Sequence, residues 1–129
     1  KWFSFDPAIK NNLIIFLSSV STENTIVITS NLGDNYLFEE IYNYFYKNKK
    51  FEFFRSPTFD ELISIVFFSN TCISSHSGFI VHLAACYNKN IVDLVDPKIF
   101  NELDRWVPFD ISYKRYDIHC IDKIILNKN

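Results

Sequence analysis

Four short apolar runs, three of them followed after a polar break by an apolar stripe at helical spacing, limit what this chain can fold into. The runs are residues 25–29 (TIVIT), 51–54 (FEFF), 71–75 (TCISS) and 91–95 (IVDLV). Between them, Leu37, Ile41, Tyr44 and Phe45, then Leu62, Ile63, Val66 and Phe67, then the apolar span 78–87, recur every three or four residues. A period of two suits strands and a period near 3.6 suits helices, so the alternation reads as repeated βαβ units. Such units build a parallel sheet with helices on both faces, and the expected class is α/β. The 25–29 run is expected to be a buried strand.

Punctuation sharpens the boundaries. Asp6-Pro7 sets a cap and a first-turn proline ahead of Ile9, Leu13, Phe16 and Leu17, which predicts a helix over 7–19. Thr58 and Glu61 have capping-box spacing, with Thr58 accepting from the backbone and Glu61 reaching back, and predict a helix to about Asn70. Asp96-Pro97 repeats the cap-and-proline signal before a brief helix through Leu103. Residues 117–126 alternate loosely, as a last strand or a packed tail would. Lys47, Lys49 and Lys50 close the second helical stripe, where cations suit the helix dipole better than they argue for a phosphate site.

With 129 residues the chain reads as one domain, 1–129, able to bury a core. It has no Met and starts abruptly at Lys1-Trp2, as a piece of a longer chain would. A net charge of −2 argues against nucleic acid as a partner. Three cysteines fit no disulfide framework, and a reducing, cytoplasmic setting is the expectation. Aromatic residues make up 18% of the chain, so the core is expected to be rich in rings. Tyr42, Tyr44, Tyr46, Phe67 and Phe68 are read first as core and second as an interface.

The segment with the most chemistry is Ser75-His76-Ser77-Gly78, at the junction of the third strand and the next helix. In an open parallel sheet, ligands gather beyond the carboxyl ends of the strands, where unpaired amides at a helix start favour an anion. A small residue followed by glycine lets a phosphate come close to the backbone. The helix over 79–86 is apolar nearly all round, which predicts central burial. His82, in its early turns, is either a partner for that anion or a core histidine bonded to a carbonyl.

These residues carry a resemblance. Lys1-Trp2, then Ser56-Pro57-Thr58-Phe59-Asp60-Glu61-Leu62, then Cys72 through Ala85 and Ile91 through Pro97, together look like the C-terminal half of glycosyltransferase family 9, the heptosyltransferase-like GT-B enzymes. The likeness covers most of residues 1–108. It implies a Rossmann-like parallel sheet flanked by helices, one half of a GT-B fold, that holds the diphosphate of a nucleotide-sugar donor. By position, Ser77, Gly78 and His82 match the family's diphosphate-contacting segment, and Lys1 matches its entry lysine. Ser75 and His76 complete the loop, and Asn31 is a positional candidate beyond the first strand, with Gly33 and Asp34 beside it. His76 stands where the family has Asp, and three residues rather than two separate Gly78 from His82, which turns a helical side chain by about 100° relative to the glycine.

The resemblance further implies a partner N-terminal GT-B domain with the catalytic base, a glycan or lipid-linked acceptor, and a role in surface glycan or lipopolysaccharide synthesis. It implies no cofactor, the nucleotide-sugar being substrate, and a cytoplasmic enzyme that can associate peripherally with the inner face of the membrane. Alone, this half would bind donor and not turn it over. Two other readings remain. One is a catalytically inactive scaffold or interaction domain; the other, weaker, is a metal site drawn from Cys72, His76, His82, Cys86, His119 and Cys120. Neither G-x-S-x-G, a Walker loop nor G-x-G-x-x-G occurs, which removes the usual hydrolase, P-loop and dinucleotide signatures. Arg105 and Trp106 are read as packing the tail or lining the donor cleft.

Overall fold

A computed structural model describes residues 7–30, 36–75, 77–99, 108 and 112–124. Helices and strands alternate: α1 (Pro7–Val20), β1 (Ile26–Thr29), α2 (Tyr36–Phe45), β2 (Phe51–Phe54), α3 (Phe59–Phe68), β3 (Thr71–Ser74), α4 (Gly78–Cys86) and β4 (Asn90–Val95). A 3₁₀ turn over Pro97–Ile99, strand β5 (Tyr113–Asp117) and a 3₁₀ segment over Ile118–Lys123 complete the described elements. The chain is therefore mixed α/β, with short parallel sheets flanked by helices, compatible with a Rossmann-like class.

The strands form two sheets. β1 pairs in parallel with β2, Ile26 opposite Phe51 and Thr29 opposite Phe54. β4 runs parallel between β3 and β5, with Cys72 opposite Ile91 on one side and Asp93 opposite Arg115 on the other. Period-two side chains then assign the packing. Ile26 and Ile28 of β1, Phe51 and Phe53 of β2, and Val92 and Leu94 of β4 all join one cluster with Ile9, Phe16 and Leu17 of α1, Ile41 and Phe45 of α2, and Ile118, Ile121 and Ile124. The alternate residues Cys72 and Ile91 join a smaller cluster with Val66 of α3 and Val81 and Ala84 of α4. Hence α1 and α2 cover one face and α3 and α4 the other.

Local chemistry explains the element ends. Thr58 caps α3 by accepting from the Glu61 amide at 3.2 Å, and its own hydroxyl donates to the Glu61 carboxylate at 3.0 Å. Glu61 thus reaches back to the Thr58 side chain rather than to its amide. Two buried serines end strands and hold the loops beyond them. Ser30, after β1, accepts from the Ser56 amide at 2.9 Å, and Ser74, the last residue of β3, accepts from the Ser77 amide at 2.8 Å. Ser56 adopts a left-handed φ of 45°, unusual for a residue with a Cβ, and the Ser30 contact helps to hold it there.

Of the two readings of 117–126, a last strand or a packed tail, the structure bears out the tail: the last strand, β5, lies at 113–117, where half-polar residues leave no apolar signature. After it the chain enters a 3₁₀ segment whose buried Ile118, Ile121 and Ile124 recur every three residues, the period of that helix. β1 is half-buried rather than buried, with Val27 38% exposed. Of the five rings read first as core, Tyr44, Tyr46, Phe67 and Phe68 are exposed. The helix expected from Pro97 to Leu103 is seen as the 97–99 turn, and its remainder lies outside the described residues.

Candidate functional site

The β3–α4 junction is built from serines. Ser74 is buried at the end of β3, and its hydroxyl takes the Ser77 amide. Ser77 is then the N-cap of α4, its side chain accepting from the Ile80 amide over a long 3.5 Å. The Ser77 carbonyl takes the Val81 amide at 3.0 Å and so closes the first helical bond. Among the described residues this leaves the amides of Gly78 and Phe79 without a partner. The first turn of α4 carries no acidic side chain to compete for them.

Gly78 does not owe its place to the fold. Its φ is not in the left-handed region, and a Cβ built there would meet no heavy atom within 4 Å. Neither backbone angle nor packing therefore explains the choice of glycine. The space a side chain would fill lies open beside the unpartnered amides.

His82 is four residues beyond Gly78 and exposed, as are Phe79 and Cys86. This corrects the expected central burial of α4. The helix rests on β3, β4 and α3 through Val81 and Ala84, which are fully buried, and its outer face is uncovered among the described residues. The apolar composition was real, but a helix of nine residues packing on one side can bury only one stripe. His82 is thus no core histidine, and it lies within about 40° of Gly78 around the helix. Ser75 is exposed in the same loop. Lys1, Asn31, His76, Gly33, Asp34, Arg105 and Trp106 lie outside the described residues.

A second group escaped sequence reasoning. Asp93, in the middle of β4, is fully buried and accepts from the Tyr113 hydroxyl at 2.5 Å, while Arg115 Nε donates to that hydroxyl at 3.4 Å. Burial, reinforced by the Asp93 carboxylate, pushes the Tyr113 phenol up to about 12. The signal was an aspartate inside the apolar run IVDLV, the one charge in that strand. No buried side-chain oxygen or nitrogen among the described residues is left unsatisfied, so the group reads as a fastening between β4 and β5.

Among the described residues no three His, Cys, Asp or Glu side chains come together as a metal site. Cys72 is buried, and burial pushes its thiol up to about 11, away from the thiolate that a metal needs. His119 is engaged with Asp117 at 2.8 Å. No helix among the described residues is long and apolar enough to cross a membrane. Comparison with protein-family models, with curated proteins and with solved structures found no match. The fold and junction therefore define the chain only as a parallel α/β protein with an open helix start beyond β3.

Proposed function

We propose that this chain is the donor-binding half of a GT-B glycosyltransferase, and that the start of α4 receives the diphosphate of a nucleotide sugar. The observation that carries the reading is Gly78, a glycine that neither backbone angle nor packing requires, placed beside two amides with no protein partner among the described residues. Phosphate oxygens would accept from the Gly78 and Phe79 amides, with the helix dipole favouring the charge. Ser77 can turn its hydroxyl from the long Ile80 contact toward the ligand, and protonated His82 on the same side of α4 would add charge. The reaction needs this from the domain, stabilisation of a leaving diphosphate, while the base that deprotonates the acceptor would come from the other half.

Titration of the chain with nucleoside diphosphates tests the reading through backbone amide shifts. The Gly78 and Phe79 amides should move, and Gly78→Ala should weaken binding about tenfold, the ~1.4 kcal/mol expected from one charge-assisted bond, with no loss of stability. Amides that stay still at millimolar ligand reject it. The interaction-domain reading has one observation of its own: Phe59 against Phe79 at 5.3 Å and Phe67 against Tyr87 at 5.3 Å form an exposed aromatic surface over α3 and α4. It predicts ligand-independent association through those rings.

A further inference from the structure

Five of the exposed large apolar side chains lie together on the outer side of α3 and α4. Phe59 touches Phe79 with ring centroids 5.3 Å apart, Phe67 touches Tyr87 at 5.3 Å, and Phe68 stands edge-on to Phe67 at 5.1 Å. The first pair joins the starts of the two helices and the second joins their ends, so α3 and α4 run parallel with a ring pair at each end of the face. The five rings are 37–82% exposed. With a whole ring burying about 150–250 Å², they leave roughly 500 Å² of aromatic surface open, against about 800 Å² that each partner brings to a standard interface. That is near the top of what a monomer normally shows.

Charge is placed unevenly along the same face. Asp60 precedes Phe67 by two helical turns and Glu61 precedes Phe68 by the same interval, so each carboxylate lies within about 20° of a ring around α3. Both acids are in the first turn. The cation is at the other end, where Lys89 Nζ lies 5.6 Å from the Phe67 ring centroid. Among the described residues neither Asp60 nor Lys89 has an ion-pair partner. An apolar face with one acidic and one basic end is complementary to the same face turned end for end. Two copies stacked with their helices pointing the same way would set acid against acid. Stacked antiparallel, each Asp60 comes over Lys89 of the other copy, and each ring pair over the opposite ring pair.

We propose that the outer side of α3 and α4 is the interface of a homodimer, in which two copies meet face to face about a two-fold axis lying across the helices. Such an interface is isologous and closes on itself, so it gives a dimer and not a filament. The inference rests on the interaction-domain reading, to which it gives a partner, and not on donor binding. Analytical ultracentrifugation of the 129-residue chain tests it. Monomer should give way to dimer as concentration rises through roughly 10–100 μM, the range of a small transient interface. Phe68→Ser, at an exposed position, should keep the urea midpoint and weaken the dimer about tenfold. At low salt Asp60→Lys or Lys89→Asp alone should weaken it by about threefold or more, because two like-charge contacts replace two unlike ones, and the double variant should restore it. The ring variant tests the face, and the charge exchange tests the antiparallel arrangement. Four results overturn the proposal: a chain monomeric at about 1 mM, which leaves the face to a different protein, open-ended oligomers, a dimer that Phe68→Ser does not weaken, or a double variant no tighter than the single ones.

Discussion

The two faces of the sheets are built to different standards. The α1–α2 face gathers eleven buried residues from two helices, two strands and the 118–124 segment, with Phe45 stacked on Phe51 at 4.1 Å. The α3–α4 face gathers five, and Phe68 beside it stays 82% exposed. The first face has enough apolar area to hold the chain together. The second has little to spare, yet it carries the open helix start. The larger core thus lies on the opposite side from the open helix start, so the unpartnered amides of Gly78 and Phe79 sit away from the packing that contributes most to stability.

The largest expected effect separates the two clusters directly. Phe45→Ala should lower unfolding stability in urea by about 3–5 kcal/mol, and Val81→Ala by about 2 kcal/mol. Equal losses would erase the distinction. Alkali should sharpen it, since both strongly raised groups, Cys72 and Tyr113, belong to or pack against the small cluster. Their folded values of about 11 and about 12 lie above the ordinary 9.0 and 10.0, so both favour the folded state while neutral. That contribution is complete below about pH 9 and is lost as pH rises toward about 12. Stability followed by circular dichroism should fall across that window, and less steeply in Tyr113→Phe. The smallest effect concerns the start of α3: Thr58→Ala should cost about 1 kcal/mol in the same urea assay through the lost cap.

Much of the fold was legible because β-branched runs and helical stripes are strong local signals. Strand β2 and the starts of α1 and α3 fall where Phe51–Phe54, Asp6-Pro7 and Thr58 put them. The features that local sequence does not reveal depend on neighbours. Tyr113–Asp117 becomes a strand through pairing with β4, and Val27 is exposed because nothing described lies beside it; neither fact is written in local periodicity. At the candidate site, the residue types and the helix start after Ser77 could be read in advance, but the Ser77 cap and the exposure of His82 could not. Composition tells how apolar a helix is, and only packing tells which side is covered.

The Ser74–Ser77 hydrogen bond has a further consequence. It fastens Ser77, the cap of α4, to the end of β3, so the first amides of the helix are held in place by the sheet. An incoming anion would have little loop freedom to freeze out, and even a modest set of contacts could convert into measurable affinity.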